Sequence, residues 1–473
     1  MFPLFSSIYR GISESHLDAV VLLAALLVLS AEASAKQPWR LVSAADLPAW
    51  LHVSGSHRTR YETLDNQFRS VRQGGDQMLA LRSILLTELR LDPLRIGVEL
   101  IDSRAYLDDS GTPLSTTMVN PGELLQGYVA WTQRDVFQVG SESTLRVGRL
   151  TLDVGSRRFV ARSLYRNTIN TFTGAEWRWH GSRGNHLQVF YTLPVNRKPN
   201  TATALRNNDV EFDEEHGEVR FWGLYYDFGR LAAGHRGEVY LLGLDENDAG
   251  QRPTRNRELY TPGFRIYRPK ALGHLDYLLE AAVQFGEVRA TTATTDTTDL
   301  DHFAHFEHLE IGYTWAQAWM PRINADFDYA SGDDNPRDSD NERFDTLFGA
   351  RRFDFGPTGM YGPFARSNLL SPGLRLNLQP TGAVKLMVSY RGFWLASDTD
   401  AWTTSGVRDR SGATGSFIGQ QIEARLRWEV VPGNYRFEAG VANLFAGGLM
   451  RDAPNSPDNG DVFYAYTQAG FNF

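Results

Sequence analysis

Lysine occurs only at Lys36, Lys198, Lys270 and Lys385, so 44 of the 48 basic residues are arginine. A guanidinium group presents a planar fork of donors that matches a carboxylate, keeps its charge at any relevant pH, and is less strongly hydrated than an ammonium group. A chain that gathers such groups in one place has the means to bind carboxylate-bearing solutes. A GC-rich genome also raises arginine over lysine everywhere, so position has to decide. Two patterns stand out. Arg58 and Arg60 recur at the two-residue spacing of one strand face, with Glu62 next in line. Arg157, Arg158, Arg162 and Arg166 crowd into residues 155–170.

Other chemistry is poorly represented. With no cysteine there is no thiolate nucleophile, no thiolate metal site and no disulfide framework. No Ser/His/Asp order, phosphate-cradling glycine motif or zinc spacing is present, so neither an enzyme nor a bound cofactor is expected. His302, His305 and His308 read as rim histidines at the start of a strand. Asp76, Asp102, Asp108 and Asp109 read as turn residues. Residues 331–342 (SGDDNPRDSDNE) have the oxygen density of a calcium loop without its spacing or its glycine, and are expected to be a solvated extracellular loop. The net charge of −8 falls to −6 without residues 1–35, which leaves 47 basic against 53 acidic residues. Bulk charge therefore points to no partner, and no nucleic acid is expected.

The elements that must position the arginines are strands. Residues 19–30 (AVVLLAALLVLS) form an apolar run too short to span a bilayer. Ala33-Ser34-Ala35 follows with the small-x-small pattern of a secretory cleavage site, so 1–35 is expected to be a signal peptide and 36–473 the mature chain. Mean hydropathy is −0.35 and no apolar run reaches about 18 residues, which excludes helical membrane spans and leaves a barrel as the way to reconcile this chain with a bilayer. The last twelve residues put Phe463, Ala465, Thr467, Ala469, Phe471 and Phe473 on one face and Tyr464, Tyr466, Gln468, Gly470 and Asn472 on the other. A terminal strand of that kind closes a barrel against the first strand.

About eighteen alternating stretches run from 50–62 to 462–473, each near the nine to eleven residues of a tilted membrane strand or slightly longer. Connections after even-numbered stretches are mostly short, as at Asp92-Pro93, 181–184 and 430–433, and most of the others are long and polar. That is a transmembrane antiparallel β-barrel with short periplasmic turns and long extracellular loops. The faces agree: Leu275, Tyr277, Leu279, Ala281, Val283 and Phe285 alternate with Asp276, Glu280 and Gln284. On this pattern Arg58, Arg60, Arg82, Arg391 and Arg425 fall on the lumen face, with Glu62, Glu99 and Glu280 as carboxylates that would hold the arginines in rotamer. Arg149 breaks parity. It shares a face with Leu145 and Val147, so a bulge or its place at the extracellular end of the strand must turn it inward.

Several motifs together resemble the alginate-export family of outer-membrane proteins. They are Arg58-Thr-Arg60-Tyr61-Glu62, Val147-Gly148-Arg149, Gly155-Ser-Arg157-Arg158-Phe, Arg166-Asn167-Thr168, Thr171-Phe172-Thr-Gly174, Tyr329-Ala-Ser-Gly332-Asp333, Phe344-Asp345 with Arg351-Arg352, and Arg366-Ser-Asn368-Leu369. The resemblance spans essentially the whole mature chain. It implies an eighteen-stranded barrel whose arginine-rich constriction passes an anionic polysaccharide, and it adds Arg351, Arg352 and Arg366 to the pore-lining candidates. A polyuronate carries one carboxylate per sugar, so a ladder of guanidinium groups would bind each weakly and hand it on. Other expected partners are outer-membrane lipids, the barrel-assembly machinery and periplasmic export components. Three alternatives stand beside this: arginines that merely brace the barrel across its lumen, a porin for small anions, and an outer-membrane enzyme on a barrel scaffold.

Overall fold

The computed structural model describes residues 37–109, 111–248, 253–457 and 460–473; the expected signal peptide lies outside them. Eighteen strands form one closed antiparallel barrel. They are β1 Leu51–Asp65, β2 Asp76–Leu91, β3 Leu94–Tyr106, β4 Asn120–Arg134, β5 Glu142–Leu150, β6 Phe172–His180, β7 His186–Asn196, β8 Val219–Arg230 and β9 Arg236–Glu246. The second half comprises β10 Glu258–Arg268, β11 Leu275–Arg289, β12 Asp299–Thr314, β13 Arg322–Ala330, β14 Leu369–Leu378, β15 Val384–Trp394, β16 Phe417–Val431, β17 Tyr435–Ala446 and β18 Val462–Asn472. Two further two-residue strands, Glu214–Glu215 and Asp340–Asn341, belong to loops.

Each strand pairs with its sequence neighbours. β18 closes on β1 with Arg58 opposite Gly470 and Arg60 opposite Gln468. Closure extends to the carboxy-terminal residue, since Phe473 N–H donates to Gly55 O at 3.0 Å and Gly55 N–H to Phe473 O at 3.1 Å. The seam is covered by the segment before β1. Trp39 stacks on Phe471, its N–H donates to Asn434 Oδ1 at 2.7 Å, and Asn434 Nδ2 donates back to Trp39 O at 2.8 Å.

Turns at one end run from two residues (92–93) to seven (135–141), and loops at the other from nine (290–298) to thirty-eight (331–368). Among the described residues no helix is long and apolar enough to cross a membrane. Side chains alternate as the period of two requires. Leu279, Val283, Phe285, Ile323 and Phe327 are exposed on the outer wall, while Glu280, Gln284, Asn324, Asp326 and Asp328 are buried inside. Asp102 is correspondingly part of β3 rather than a turn residue.

The lumen is not an empty pipe. The loop 151–171, after β5, and the loop 331–368, after β13, fold inward and bury apolar surface against the inner wall. Leu152, Val154, Phe159 and Val160 pack with Phe172, Phe221, Leu242, Phe306 and Phe344 in one cluster. Phe355, Met360, Tyr361 and Phe364 pack with Phe68, Phe393, Trp402 and Tyr464 in another. Removing one fully buried ring such as Phe159 costs about 3–5 kcal/mol, so these loops are parts of the fold.

Candidate functional site

The inward loops set the geometry of the arginines. Arg58 and Arg82 on β1 and β2 reach the backbone of loop 151–171. Arg58 donates to the carbonyls of Leu164, Tyr165 and Arg166 at 2.9, 2.8 and 3.2 Å and to Asn167 Oδ1 at 2.9 Å. Arg82 donates to Leu164 O and Arg166 O at 3.0 and 2.9 Å. Arg60 adds a bond to Tyr165 O at 2.7 Å and lies 4.2 Å over that tyrosine's ring, with its Nε 2.7 Å from Glu62. Glu62 in turn accepts from Met360 N–H at 3.1 Å and from Tyr464 Oη at 2.9 Å. The Arg58-Thr59-Arg60-Tyr61-Glu62 motif thus holds both inward loops.

A second knot ties the two loops to each other. Arg158 forms ion pairs with Asp354 at 3.0 Å and Glu280 at 2.8 Å, and Arg366 pairs with the same Asp354. Arg391 pairs with Asp328 and donates to Asp354 O at 3.1 Å, and Arg352 pairs with Glu423 at 2.7 Å. Burial alone would raise the Asp354 carboxyl, but the guanidinium groups of Arg158 and Arg366 outweigh it and hold it well below the usual carboxylate range. His308, Asp328 and Asp354 bring ligand-type atoms within 4.8 Å of one another. Their carboxylates are already engaged by Arg158, Arg366 and Arg391, which disfavours a cation. His308 is a buried lumen residue, not a rim histidine. His302 is likewise buried, and His305 lies on the outer wall beside Glu307.

Glu99 is matched to Arg162 at 2.7 Å and to Gln126 at 2.6 Å. Arg149 sits at the long-loop end of β5 between Glu123 at 2.8 Å and Glu215 at 2.9 Å. It pairs regularly with Thr173 and with Gly127, its last partner on β4, and the β4 strand beyond shifts register at Leu125, next to the Glu123 and Leu124 that Arg149 contacts.

Arg166 and Arg351, like Arg58 and Arg82, have no carboxylate partner among the described residues, but they face a cavity. Arg166 donates only to Asn170 Oδ1, at 3.0 Å, and Arg351 forms no ion pair among the described residues. Both line a cavity of about 860 Å³ at the long-loop end of the lumen, together with Arg197, Lys198, Arg257 and Arg366 and the carboxylates Glu214 and Glu246. A smaller cavity of about 350 Å³ shares Arg257 and Arg351 and adds Arg255 and Arg343. Burial and the nearby charges of Arg197 and Arg351 push Arg166 down to about 9; burial and Arg366 push Arg351 down to about 10. Both stay charged at neutral pH, so the depression measures the cost of crowding like charges out of water. An anion in the cavity relieves that cost.

Arg157 is exposed and 5.8 Å from the Phe353 ring. Arg425 lines a separate cavity of about 300 Å³ at the short-turn end with Arg322, Lys385 and Arg427. The candidate arginines therefore do not share one zone: eight are fixed by carboxylates or loop carbonyls, two line the outer cavity without an acid partner, one is exposed, and one lies near the periplasmic end.

A family model described as alginate export matches residues 49–462. The chain belongs to the alginate export family. Among solved structures the barrel is similar to OccK9 (OpdG) of Pseudomonas aeruginosa, with TM-score 0.58 and 13% identity over 89% of this chain and 98% of that one. It is also similar to the P. aeruginosa outer membrane protein opdK, with TM-score 0.55 and 13% identity over 89% and 99%. Acinetobacter baumannii OccAB1 gives TM-score 0.55 and 12% identity over 89% and 97%. A search of curated proteins returned no match. At such identities the likeness carries the fold alone: a porin-like β-barrel of the Gram-negative outer membrane. Family and fold are those of channels.

In this barrel of the alginate export family the residue that sequence reasoning missed is Arg197. It follows β7 directly, and its Nη1 donates to Asn170 Oδ1 at 2.7 Å, the same oxygen that receives Arg166. Its one sequence signal is a basic Arg197-Lys198 pair in a long loop, which looks like a solvated turn until loop 151–171 is known to fold beneath it.

Proposed function

We propose that this chain is an outer-membrane channel for an anionic polysaccharide of the polyuronate type, and that the carboxylate-free cations Arg166, Arg197 and Arg351 receive the sugar carboxylates in the outer cavity. The observation that carries this reading is that these three line the outer cavity with no ion pair among the described residues, while Lys198, Arg257 and Arg366 beside them are paired to carboxylates. The arginines held by carboxylates or loop carbonyls, Arg58, Arg60, Arg82, Arg149, Arg158, Arg352, Arg366 and Arg391, act as the frame. Catalysis has no part in this reading, and periplasmic export components and the barrel-assembly machinery are partners of the mature channel only by this proposal.

A second reading, passage of small carboxylates, is favoured by the two inward loops, whose burial and ion pairs leave a narrow lumen. Current block separates the two. Added to either side of a single channel in a planar bilayer, oligouronates should interrupt the current in discrete, voltage-dependent events, while neutral oligosaccharides of equal length should not. Block by acetate-sized or dicarboxylate anions without block by oligouronates would transfer the case to the small-anion porin.

A further inference from the structure

We propose that the smaller cavity beside Arg351 is a second uronate subsite, adjoining the first, in which Arg255 receives the carboxylate of the next sugar along the chain. This rests on the reading that Arg166, Arg197 and Arg351 receive sugar carboxylates, and extends it from single carboxylates to a two-sugar unit. The two cavities meet along one stretch of the loop 331–368. Arg343, Phe344 and Asp345 line the smaller, Leu347, Phe348 and Gly349 line the larger, and Thr346 and Arg351 line both. Arg351 therefore faces both spaces, and its side chain has no hydrogen bond or ion pair among the described residues. A volume of about 350 Å³ is at the lower end of what holds one small ligand.

What the smaller cavity adds is a guanidinium group already set in place. Just before β10, Arg255 Nε donates to Arg289 O at 2.9 Å and its Nη2 to Ala290 O at 3.3 Å. Those bonds fix the plane of the group and leave Nη1 without a partner among the described residues, so little freedom is lost when an anion arrives. The other cations of this cavity apart from Arg351 are neutralised, Arg257 by Glu246 and Asp345 at 2.7 Å each and Arg343 by Asp400. Asp345, the one carboxylate lining the cavity among the described residues, is held by Arg257 and also accepts from Leu347 N–H at 2.8 Å. Burial and the charges of Arg343 and Arg257 hold Arg255 below its ordinary value, and an anion beside it relieves that crowding. Thr346 and Ser367 line the same space with hydroxyl groups that have no partner among the described residues, and a hydroxyl both donates to and accepts from the hydroxyls of a sugar. A single carboxylate uses one of these arginines at a time. A uronate chain, with one carboxylate per sugar, uses Arg351 and Arg255 together, and the second contact is then intramolecular.

The test is block of the channel by mannuronate and by its disaccharide, read as mean single-channel current against concentration. In the wild type the disaccharide should block about tenfold or more tighter than the monosaccharide. Arg255→Gln should lower disaccharide block about tenfold and leave monosaccharide block within about twofold. Arg255→Lys, which keeps the charge and loses the fork, should fall between. Because Arg255 also ties its loop to the end of β11, Ser367→Phe supplies a second variant, which fills the smaller cavity, leaves every arginine in place and should likewise remove the gain from the second sugar. Equal block by the two sugars in the wild type overturns the second subsite and leaves the first standing. So does a gain that survives Arg255→Gln in heat-modifiable, folded protein or, should that variant not fold, one that survives Ser367→Phe. No block by either sugar overturns both subsites.

Discussion

An arginine in a barrel lumen does one of two jobs, and its partner tells which. Arg58 gives all its bonds to loop carbonyls and an asparagine, whereas Arg351 has no ion pair among the described residues and faces a cavity. Replacing Arg351 with glutamine should therefore leave stability nearly unchanged. Loss of a charge-assisted contact of about 1.5–3 kcal/mol should weaken oligouronate block by roughly ten- to a hundredfold. Replacing Arg158 with alanine should do the reverse. It leaves Asp354 and Glu280 short of a buried cation, at a cost of about 3–5 kcal/mol, readable as a lower temperature for loss of heat-modifiable folded protein. The sequence made the arginines visible as a set, because parity alone put Arg58, Arg60, Arg82, Arg391 and Arg425 on the inner face. It did not divide them into frame and site. That division depends on which loop carbonyls and carboxylates arrive from more than a hundred residues away, as Leu164 does for Arg58 and Asp354 for Arg158.

At the scale of elements, the strands were legible and the loops were not. Alternation and turn length located eighteen strands, since period two and the short turns are local properties. That loops 151–171 and 331–368 fold inward was only suggested by the density of arginine in the first. The crossing of these loops is tight: a Cβ built on Gly349 would stand 1.7 Å from Arg158 O, and Ala350 N–H donates to Arg157 O at 3.0 Å. Gly349→Ala should push the loops apart and raise single-channel conductance while the barrel itself still forms. An unchanged conductance would show that the loops do not set the bore. The closing seam carries its own expectation. Deleting Phe473 removes two backbone bonds to Gly55 and ring contacts with Phe471 and Trp39, and should lower the yield of folded protein in outer-membrane fractions.

For the molecule as a whole, net charge misleads. A chain with a formal charge of −8 holds its unpaired cations in a cavity, where a focused local field outweighs surface charge lying beyond a Debye length of about 8 Å. The frame that keeps them there should resist acid. A carboxyl whose folded pKa is depressed lends stability that is fully present above its unfolded value, about 3.9, and is lost as pH falls through the folded value. Asp354 is depressed by Arg158 and Arg366, so the tie between the loops should persist from pH 8 to about 5 and loosen only below about 4, seen as constant conductance followed by a rise. The central claim is that Arg166, Arg197 and Arg351 form an anion filter. Its most direct test is the reversal potential of the channel in a planar bilayer under a salt gradient, measured for wild type and for the triple variant with glutamine at those three positions. Anion preference in the wild type, lost in the triple variant while conductance and folding persist, is the predicted result; cation preference in the wild type, or a triple variant indistinguishable from it, would contradict the account.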